Sequence, residues 1–154
     1  MQTTSPENEF ETMIKNLVPM IAYSQMQVLE VSDDTVAIKI PFIKENKNHL
    51  NSMYFGSLSV GADAAGGILA LHHAKKAGKE VAIVFKDFNA DFLKRAEGDT
   101  IFSCNDGKAI ADLVAIAVAT GERQNMPVNI EATVDGSQDA VARFVLTLSI
   151  KQVS

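Results

Sequence analysis

The order of hydrophobic and polar positions predicts a helix followed by two strands at the start of the chain. Apolar residues at helical spacing follow Ser5 and Pro6, which are typical of a helix start, so residues 1–19 are expected to form an N-terminal helical segment. Apolar and polar residues then alternate over 21–31 and over 36–40, with a pair of aspartates between them. Alternation on both sides of a short polar turn predicts two antiparallel strands.

A second helix is expected over residues 54–77, which are almost wholly small or apolar as far as Leu71. Such a segment could either cross a membrane or lie buried on all sides within a globular protein. Asp63 stands near its centre and disfavours a membrane span, so we expect a helix enclosed by the rest of the fold. Gly78 follows two lysines, as is typical of the carboxyl end of a helix.

The rest of the chain predicts further strands and one more helix. Strands are expected over 81–92, 100–104, 128–134 and 140–153, and a helix is expected from Asp106 to Gly121. Asp135-Gly136-Ser137 is a hairpin signal between the last two strands. Together these elements predict one α+β domain over residues 1–154, with an antiparallel sheet of about six strands wrapped around the long apolar helix.

Composition and charge narrow the classes of function. A chain of 154 residues with 47% hydrophobic and 21% charged residues fits a single globular domain. The net charge of −5 argues against a nucleic-acid partner, whose binding rests on clustered Lys and Arg. Cys104 is the single cysteine and the N-terminus lacks the pattern of a secretory signal, so we expect a cytoplasmic protein that does not engage a membrane.

Asp63 is the residue with the strongest chemical argument for a role in function. It is the only charged residue between Met53 and His72, and a carboxylate on so apolar a helix must be paired, hydrated or functional. The amide groups of Phe55 and Gly56 begin the same helix and could polarise a carbonyl oxygen. Gly56 could equally serve only to let the chain enter the helix tightly.

Other candidate residues have structural explanations of equal weight. Lys94 and Arg95 suit phosphate oxygens but are also typical of a solvated turn. His72 and His73 are expected to be surface residues near a helix end, because adjacent histidines do not face the same way on a helix. Cys104 is expected to be an inert strand residue. We therefore expect no metal site and no cofactor.

Two stretches of the chain have the spacing of a known family. Residues 48–56 read Asn-His-Leu-Asn-Ser-Met-Tyr-Phe-Gly, with Asp63 nine residues after Tyr54, and residues 92–99 read Phe-Leu-Lys-Arg-Ala-Glu-Gly-Asp. They resemble the hotdog-fold thioesterases, in particular the branch similar to phenylacetyl-CoA thioesterases. That branch has Asn-x-x-Gly-x-x-His-Gly-Gly before its central helix and an acid nine residues after the His.

The resemblance implies a hotdog fold and an acyl-CoA thioesterase that needs no cofactor. The substrate would be an acyl thioester of coenzyme A or of acyl carrier protein, and the active site would be shared between subunits of a homodimer or homotetramer. Asp63 would act as general base or nucleophile. The other residues that the resemblance places in the catalytic site are Phe55, Gly56 and Asn48, and those that it places at the substrate are Tyr54, Asn51, Lys94 and Arg95.

Three departures from the branch keep other functions open. Tyr54-Phe55 replace its His-Gly pair, Asn51 replaces a Gly, and residues 84–87 lack the hydroxyl group that relatives often supply there. Asn tolerates a left-handed backbone better than most residues, so the Asn51 change is expected to be silent. The alternative hypothesis is a non-catalytic acyl-CoA-binding or regulatory hotdog protein. A hydratase is a weaker third, because the helix lacks an Asp-x-x-x-x-His pair.

Overall fold

The computed structural model describes residues 4–153, within which the chain forms four α-helices and one sheet of six β-strands. Residues 1–3 of the expected N-terminal segment and Ser154 lie outside the described residues. In chain order the elements are α1 (Pro6–Leu17), α2 (Pro19–Tyr23), β1 (Gln27–Val31), β2 (Val36–Ile40), α3 (Phe55–Ala77), β3 (Val81–Phe92), β4 (Thr100–Cys104), α4 (Gly107–Thr120), β5 (Gln124–Val134) and β6 (Ala140–Gln152).

The six strands form one antiparallel sheet in the order β1-β2-β4-β5-β6-β3. The long strand β3 pairs with β6 from Val81 opposite Gln152 to Phe92 opposite Ala142, and its other side forms one edge of the sheet. Because α3 packs against β2, β4 and β5 of the same sheet, the predicted arrangement of a sheet around an apolar helix is confirmed.

Helix α3 forms the centre of the core. Twelve of its 23 residues are buried, and most of these are Ala, Gly, Leu or Ile. Small residues are needed where the helix meets the sheet, because a Cβ atom at Gly61 would collide with the ring of Phe102 on β4. The helix ends at Gly78, whose φ of 70° is the left-handed conformation that glycine adopts most readily.

Two boundaries differ from the sequence prediction. The strand predicted over residues 21–31 begins only at Gln27, as β1. The residues before it start with the short helix α2, which begins at Pro19 and buries Ile21. Pro19 favours the first turn of a helix through its fixed φ. Strand β5 begins at Gln124 rather than at residue 128, with Pro127 opposite Thr147 of β6.

The predicted helix over residues 106–121 is confirmed as α4, and it docks on the turn between β1 and β2. The Gly107 amide donates to the Asp34 carbonyl oxygen at 3.1 Å, and any Cβ atom at Gly107 would collide with the backbone of that turn. Asp106 accepts a hydrogen bond of 2.7 Å from the Asn129 amide, which ties the start of α4 to β5. None of the helices within residues 4–153 has the length and apolar character needed to span a membrane.

Candidate active site

One stripe of α3 is only half-buried, although most of the helix is enclosed. Its members lie three or four residues apart and therefore share one side of the helix. They are Gly56, Val60, Asp63, Gly67 and Leu71. Asp63 occupies the middle of this stripe, so its carboxylate stands on the one side of the central helix that the sheet leaves accessible.

Asp63 faces an apolar cavity of about 220 Å³. Leu71 and Gly67 of α3 line one side of it, and residues of β3, of α1 and of the position directly after α1 form its walls. The wall residues are Ile14, Leu17, Val18, Ile83, Val84 and Phe85. Gly67 lies one turn after Asp63, and a Cβ atom there would meet nothing within 4 Å, so the absence of a side chain helps to leave this space open.

The Asp63 carboxylate has no hydrogen-bond partner among the side chains and amides of residues 4–153. Burial raises the pKa of its carboxyl above the ordinary value of 3.8, and no neighbouring charge or hydrogen bond offsets that effect. A structural aspartate on an apolar helix would normally be paired. The described part of the chain supplies no such partner, so the hydrogen bonds of the Asp63 carboxylate are left for water, substrate or a second subunit to make.

Phe55 and Gly56 form the first turn of α3, as expected. Tyr54 precedes them with an extended backbone and provides no side-chain hydrogen bond to the helix start. A Cβ atom at Gly56 would collide with the ring of Tyr54, so the glycine allows that ring to lie against the helix. Tyr54 and Gly56 line a second apolar cavity of about 260 Å³, together with Tyr23 of α2 and Val60 of α3.

The polar atoms of Asn48 form hydrogen bonds within its own loop. Its Oδ1 accepts hydrogen bonds from the amides of Leu50 at 2.9 Å and Ser52 at 3.1 Å, and its Nδ2 donates to the Ser52 hydroxyl at 2.9 Å. Asn51, in the same loop, has a φ of 56°, the left-handed conformation that glycine would adopt there. Asn51 thus adopts the left-handed backbone that Asn tolerates better than most residues, and the expectation that its replacement of Gly is silent stays a prediction.

Lys94 and Arg95 line an open groove of about 390 Å³ that also includes Asn48, Phe55 and Phe92. The Nζ of Lys94 lies 3.1 Å from Asp139 in an exposed ion pair. The structure thus brings Asn48, Phe55, Lys94 and Arg95 together at one end of α3. Within one chain, Asp63 and the Tyr54–Gly56 pair line separate cavities.

The sequence did not predict that residues of α1 and α2 line the two apolar cavities beside α3. Leu17, Met20 and Tyr23 are well exposed, although the sequence pattern indicated only an amphipathic helix packed on a core. Exposure of apolar residues beside the half-buried stripe is visible only in three dimensions.

The expectation that both histidines near the end of α3 are surface residues is wrong for His73, which is buried. Its Nε2 lies 2.8 Å from the Asp33 carbonyl oxygen, and the Nε2 of His72 lies 2.8 Å from the Asp33 Oδ1. The two rings are inclined at 73° to each other, yet both reach one residue of the β1–β2 turn. Burial lowers the pKa of His73, whereas hydrogen bonds from Lys76 and His72 hold the pKa of Asp33 at about 2.

Cys104 has the surroundings of an inert residue, as predicted. It is buried on β4, and burial raises the pKa of its thiol to about 11. At neutral pH the thiolate, which is the reactive form, is therefore scarce.

Solved structures with the same fold include several thioesterases. A thioesterase from Haemophilus influenzae is 14% identical over 98% of this chain and 93% of its own, with a TM-score of 0.69. A thioesterase family protein from Silicibacter pomeroyi is 18% identical over 94% of this chain and 98% of its own, with a TM-score of 0.71. A Pseudomonas aeruginosa protein of unknown function, named a probable thioesterase, is 20% identical over 99% and 100% of the two chains, with a TM-score of 0.82.

These likenesses confirm the hotdog fold that the motifs around Asp63 and Lys94 suggested. No curated protein sequence matches the chain. The family described as Domain of unknown function (DUF4442) matches residues 7–150. The chain is therefore a member of the DUF4442 family, with a hotdog fold shared with thioesterases.

Proposed function

We propose that the protein is an acyl-CoA thioesterase, which hydrolyses an acyl thioester to a free acid and coenzyme A. The observation that carries the proposal is the unpaired Asp63 carboxylate, which stands on the accessible stripe of an otherwise enclosed helix and faces an apolar cavity. An apolar cavity suits an acyl chain, and a carboxylate beside it can act on the carbonyl carbon at the end of that chain. The named thioesterases with the same fold support this choice.

Asp63 would supply the attacking group. As general base its carboxylate would take a proton from water while the water oxygen adds to the carbonyl carbon. The C–S bond then breaks, and the coenzyme A thiolate takes up the proton held by Asp63. As nucleophile the carboxylate would add to the carbonyl carbon, the C–S bond would break to release coenzyme A, and water would cleave the resulting anhydride to regenerate Asp63 and give the free acid. Burial raises the pKa of Asp63, which makes its carboxylate a stronger base.

The first turn of α3 in the partner subunit would hold the thioester carbonyl, because within one chain this turn and Asp63 line separate cavities. The amides of Phe55 and Gly56 lie at the positive end of a helix of 23 residues, and no side chain of Tyr54 occupies them. Amide groups in this position stabilise the negative charge that develops on the carbonyl oxygen during attack. Tyr54 and Asn51 would border the bound thioester. Asn48 would act by holding this loop, since its own polar atoms are already used there.

Lys94 and Arg95 would bind the phosphates of coenzyme A or of the acyl carrier protein's prosthetic arm. They lie in the groove that reaches Phe55 at the start of α3. The ion pair of Lys94 with Asp139 is exposed, so a phosphate can replace the carboxylate at little cost.

A second copy of the chain would complete the site. The stripe with Asp63 lies beside β3, whose free edge carries the exposed side chains of Val84, Phe88 and Phe92. Edge strands with exposed apolar residues are typically covered by another chain. Pairing of β3 with its copy would give a homodimer, and further association of dimers would give a homotetramer.

The test is the Asp63→Asn variant, which is nearly isosteric with the parent. Asn cannot accept the water proton at neutral pH or attack the carbonyl, so kcat should fall by at least about a hundredfold. Free coenzyme A can be measured with a thiol reagent across short, medium, long and aromatic acyl-CoA substrates. Cys104 should add little background because its thiol is buried.

The matched control is Asp112→Asn, the same change at an exposed position of α4, which should leave kcat unaffected. Acyl-CoA binding, measured by calorimetry, should persist in the Asp63 variant because the contacts to the nucleotide lie elsewhere. Unchanged turnover in a folded Asp63→Asn protein would remove Asp63 from the mechanism.

The alternative function is acyl-CoA binding without hydrolysis. It is favoured by Tyr54-Phe55 in place of the His-Gly pair and by the lack of a hydroxyl residue at 84–87 on β3. Calorimetry separates the two functions. Binding of acyl-CoA by the parent protein without release of thiol from any substrate of the panel would establish the alternative.

A further inference from the structure

Three side chains with metal-binding atoms converge away from the proposed active site, where the β1–β2 turn meets the end of α3. They are Asp33, His72 and His73, and one ligand atom of each lies within 4.8 Å of the other two. The Nε2 of His72 is 2.8 Å from the Asp33 Oδ1, and the Nε2 of His73 is 2.8 Å from the Asp33 carbonyl oxygen. Nothing in the proposed hydrolysis uses this cluster.

We propose that Asp33, His72 and His73 bind a divalent transition-metal ion such as Zn²⁺. Two imidazoles and one carboxylate are donors that suit zinc, nickel and copper rather than magnesium or calcium. Three protein ligands with a fourth position open to water are a common zinc coordination. Bonds of about 2.0–2.2 Å require neighbouring donor atoms to lie roughly 3.4 Å apart, so a bound ion would replace the hydrogen bonds that now join these side chains to Asp33 and draw the donors to that spacing.

The backbone around the cluster is already fixed. The Ser32 hydroxyl accepts hydrogen bonds from the amides of Asp34 at 3.3 Å and Thr35 at 3.1 Å, which closes the turn that carries Asp33. Gly107 of α4 packs against the same turn from the other side. The two histidines belong to the long helix α3, so all three ligands are presented by ordered backbone.

The ammonium group of Lys76 contacts the Asp33 carboxylate. The Nζ of Lys76 is 2.8 Å from the Asp33 Oδ1, the same oxygen that His72 contacts. The Lys76 side chain is 53% exposed, so it can move into solvent when a metal ion takes its place. The lysine therefore competes with the metal, and its removal should strengthen binding rather than weaken it.

The experiment is calorimetric titration of the full chain, without a histidine tag, with ZnCl₂. We expect one ion per chain. His72→Gln should weaken binding at least about tenfold, and Lys76→Ala should strengthen it at least about threefold. His72 is preferred to the buried His73 because its substitution disturbs packing less. Circular dichroism verifies that each variant is folded.

Two control variants make the result specific. Lys75→Ala removes the neighbouring positive charge, which pairs with Glu9 instead, and should leave zinc affinity unchanged. His49→Gln removes the remaining histidine of the chain and should also have no effect. Zinc should in addition raise the melting temperature of the parent more than that of His72→Gln at the same zinc concentration, because a bound ion joins the turn to α3.

Equal zinc affinity in the parent and in His72→Gln would overturn the proposal, as would the absence of saturable binding by the Lys76→Ala variant. Either result would leave Asp33 as a purely structural anchor for α3. Hydrolysis of acyl-CoA does not depend on this cluster, so failure here and failure of the proposed function are distinguishable.

Discussion

At the scale of single residues, Asp63 is the position where burial and charge conflict. The cavity beside it is apolar, and burial raises the pKa of its carboxyl. The folded chain therefore binds the Asp63 proton more tightly than the unfolded chain does. Stability from this group is greatest at low pH and is lost as the pH rises from 3.8, the ordinary value, through the raised value.

Asp63→Asn should accordingly stabilise the fold at neutral pH while it lowers kcat. The variant removes a charge that is unfavourable inside the protein, so its melting temperature should rise by up to about 4 °C at pH 7. The difference from the parent should shrink as the pH falls through the raised pKa of the Asp63 carboxyl, because protonation removes the buried charge from the parent as well. Scanning calorimetry of both proteins at several pH values measures this, and a loss of stability at pH 7 would indicate a structural partner for the carboxylate.

At the scale of elements, α3 is shaped by how closely each of its sides approaches the sheet. Gly61 faces β4, where the Phe102 ring leaves no room for a Cβ atom. Gly67 lies on the half-buried stripe, where a Cβ atom would meet nothing within 4 Å. Glycine thus serves two purposes on one helix: it allows close packing at Gly61 and leaves a cavity open at Gly67.

Alanine at these two positions should have opposite effects on the free energy of unfolding. Gly61→Ala forces the helix from the sheet or the Phe102 ring from its rotamer and should cost about 1–3 kcal/mol. Gly67→Ala adds a helix-favouring residue without a collision and should stabilise the protein by roughly 0.5–1 kcal/mol. Urea unfolding measures both values. Similar destabilisation by both variants would mean that the two sides of α3 are packed alike.

At the scale of the whole molecule, the open stripe and the free edge of β3 lie side by side. Val84 joins the two features because it lines the Asp63 cavity and is half-exposed on the edge strand. A second copy that pairs along β3 would cover both surfaces at once. The site would then be complete only in the assembly.

Val84→Asp should break the assembly that we propose. A carboxylate on the paired edge strand would be buried against the second copy without a partner, so light scattering at micromolar concentration should show a dimer or larger species for the parent and a monomer for the variant. Val145→Asp is the control, because Val145 is similarly exposed but lies on β6 inside the sheet. A monomeric parent with full activity would contradict the shared site.

The sequence by itself predicted every α-helix and strand except the short helix α2 at Pro19, and it placed the start of β5 four residues late, near Pro127. Local patterns suffice for this because periodicity reports which side of an element is buried, and glycines such as Gly78 mark helix ends through their backbone freedom. The family spacing around Tyr54 and Asp63 added the hotdog arrangement, which the solved structures confirm.

Only the tertiary structure decided what each candidate residue contacts. It showed that Asp63 faces an apolar cavity, that Asn48 is used by its own loop, and that His72 and His73 both reach Asp33. The contacts of Asp63 and of the two histidines join residues far apart in the chain, so no local pattern encodes them. The contacts of Asn48 lie within its own loop, but whether its polar atoms are free is visible only in the folded loop. A helix as uniformly apolar as α3 also gives no periodic signal for its open side, because that side is set by where the sheet and α1 end.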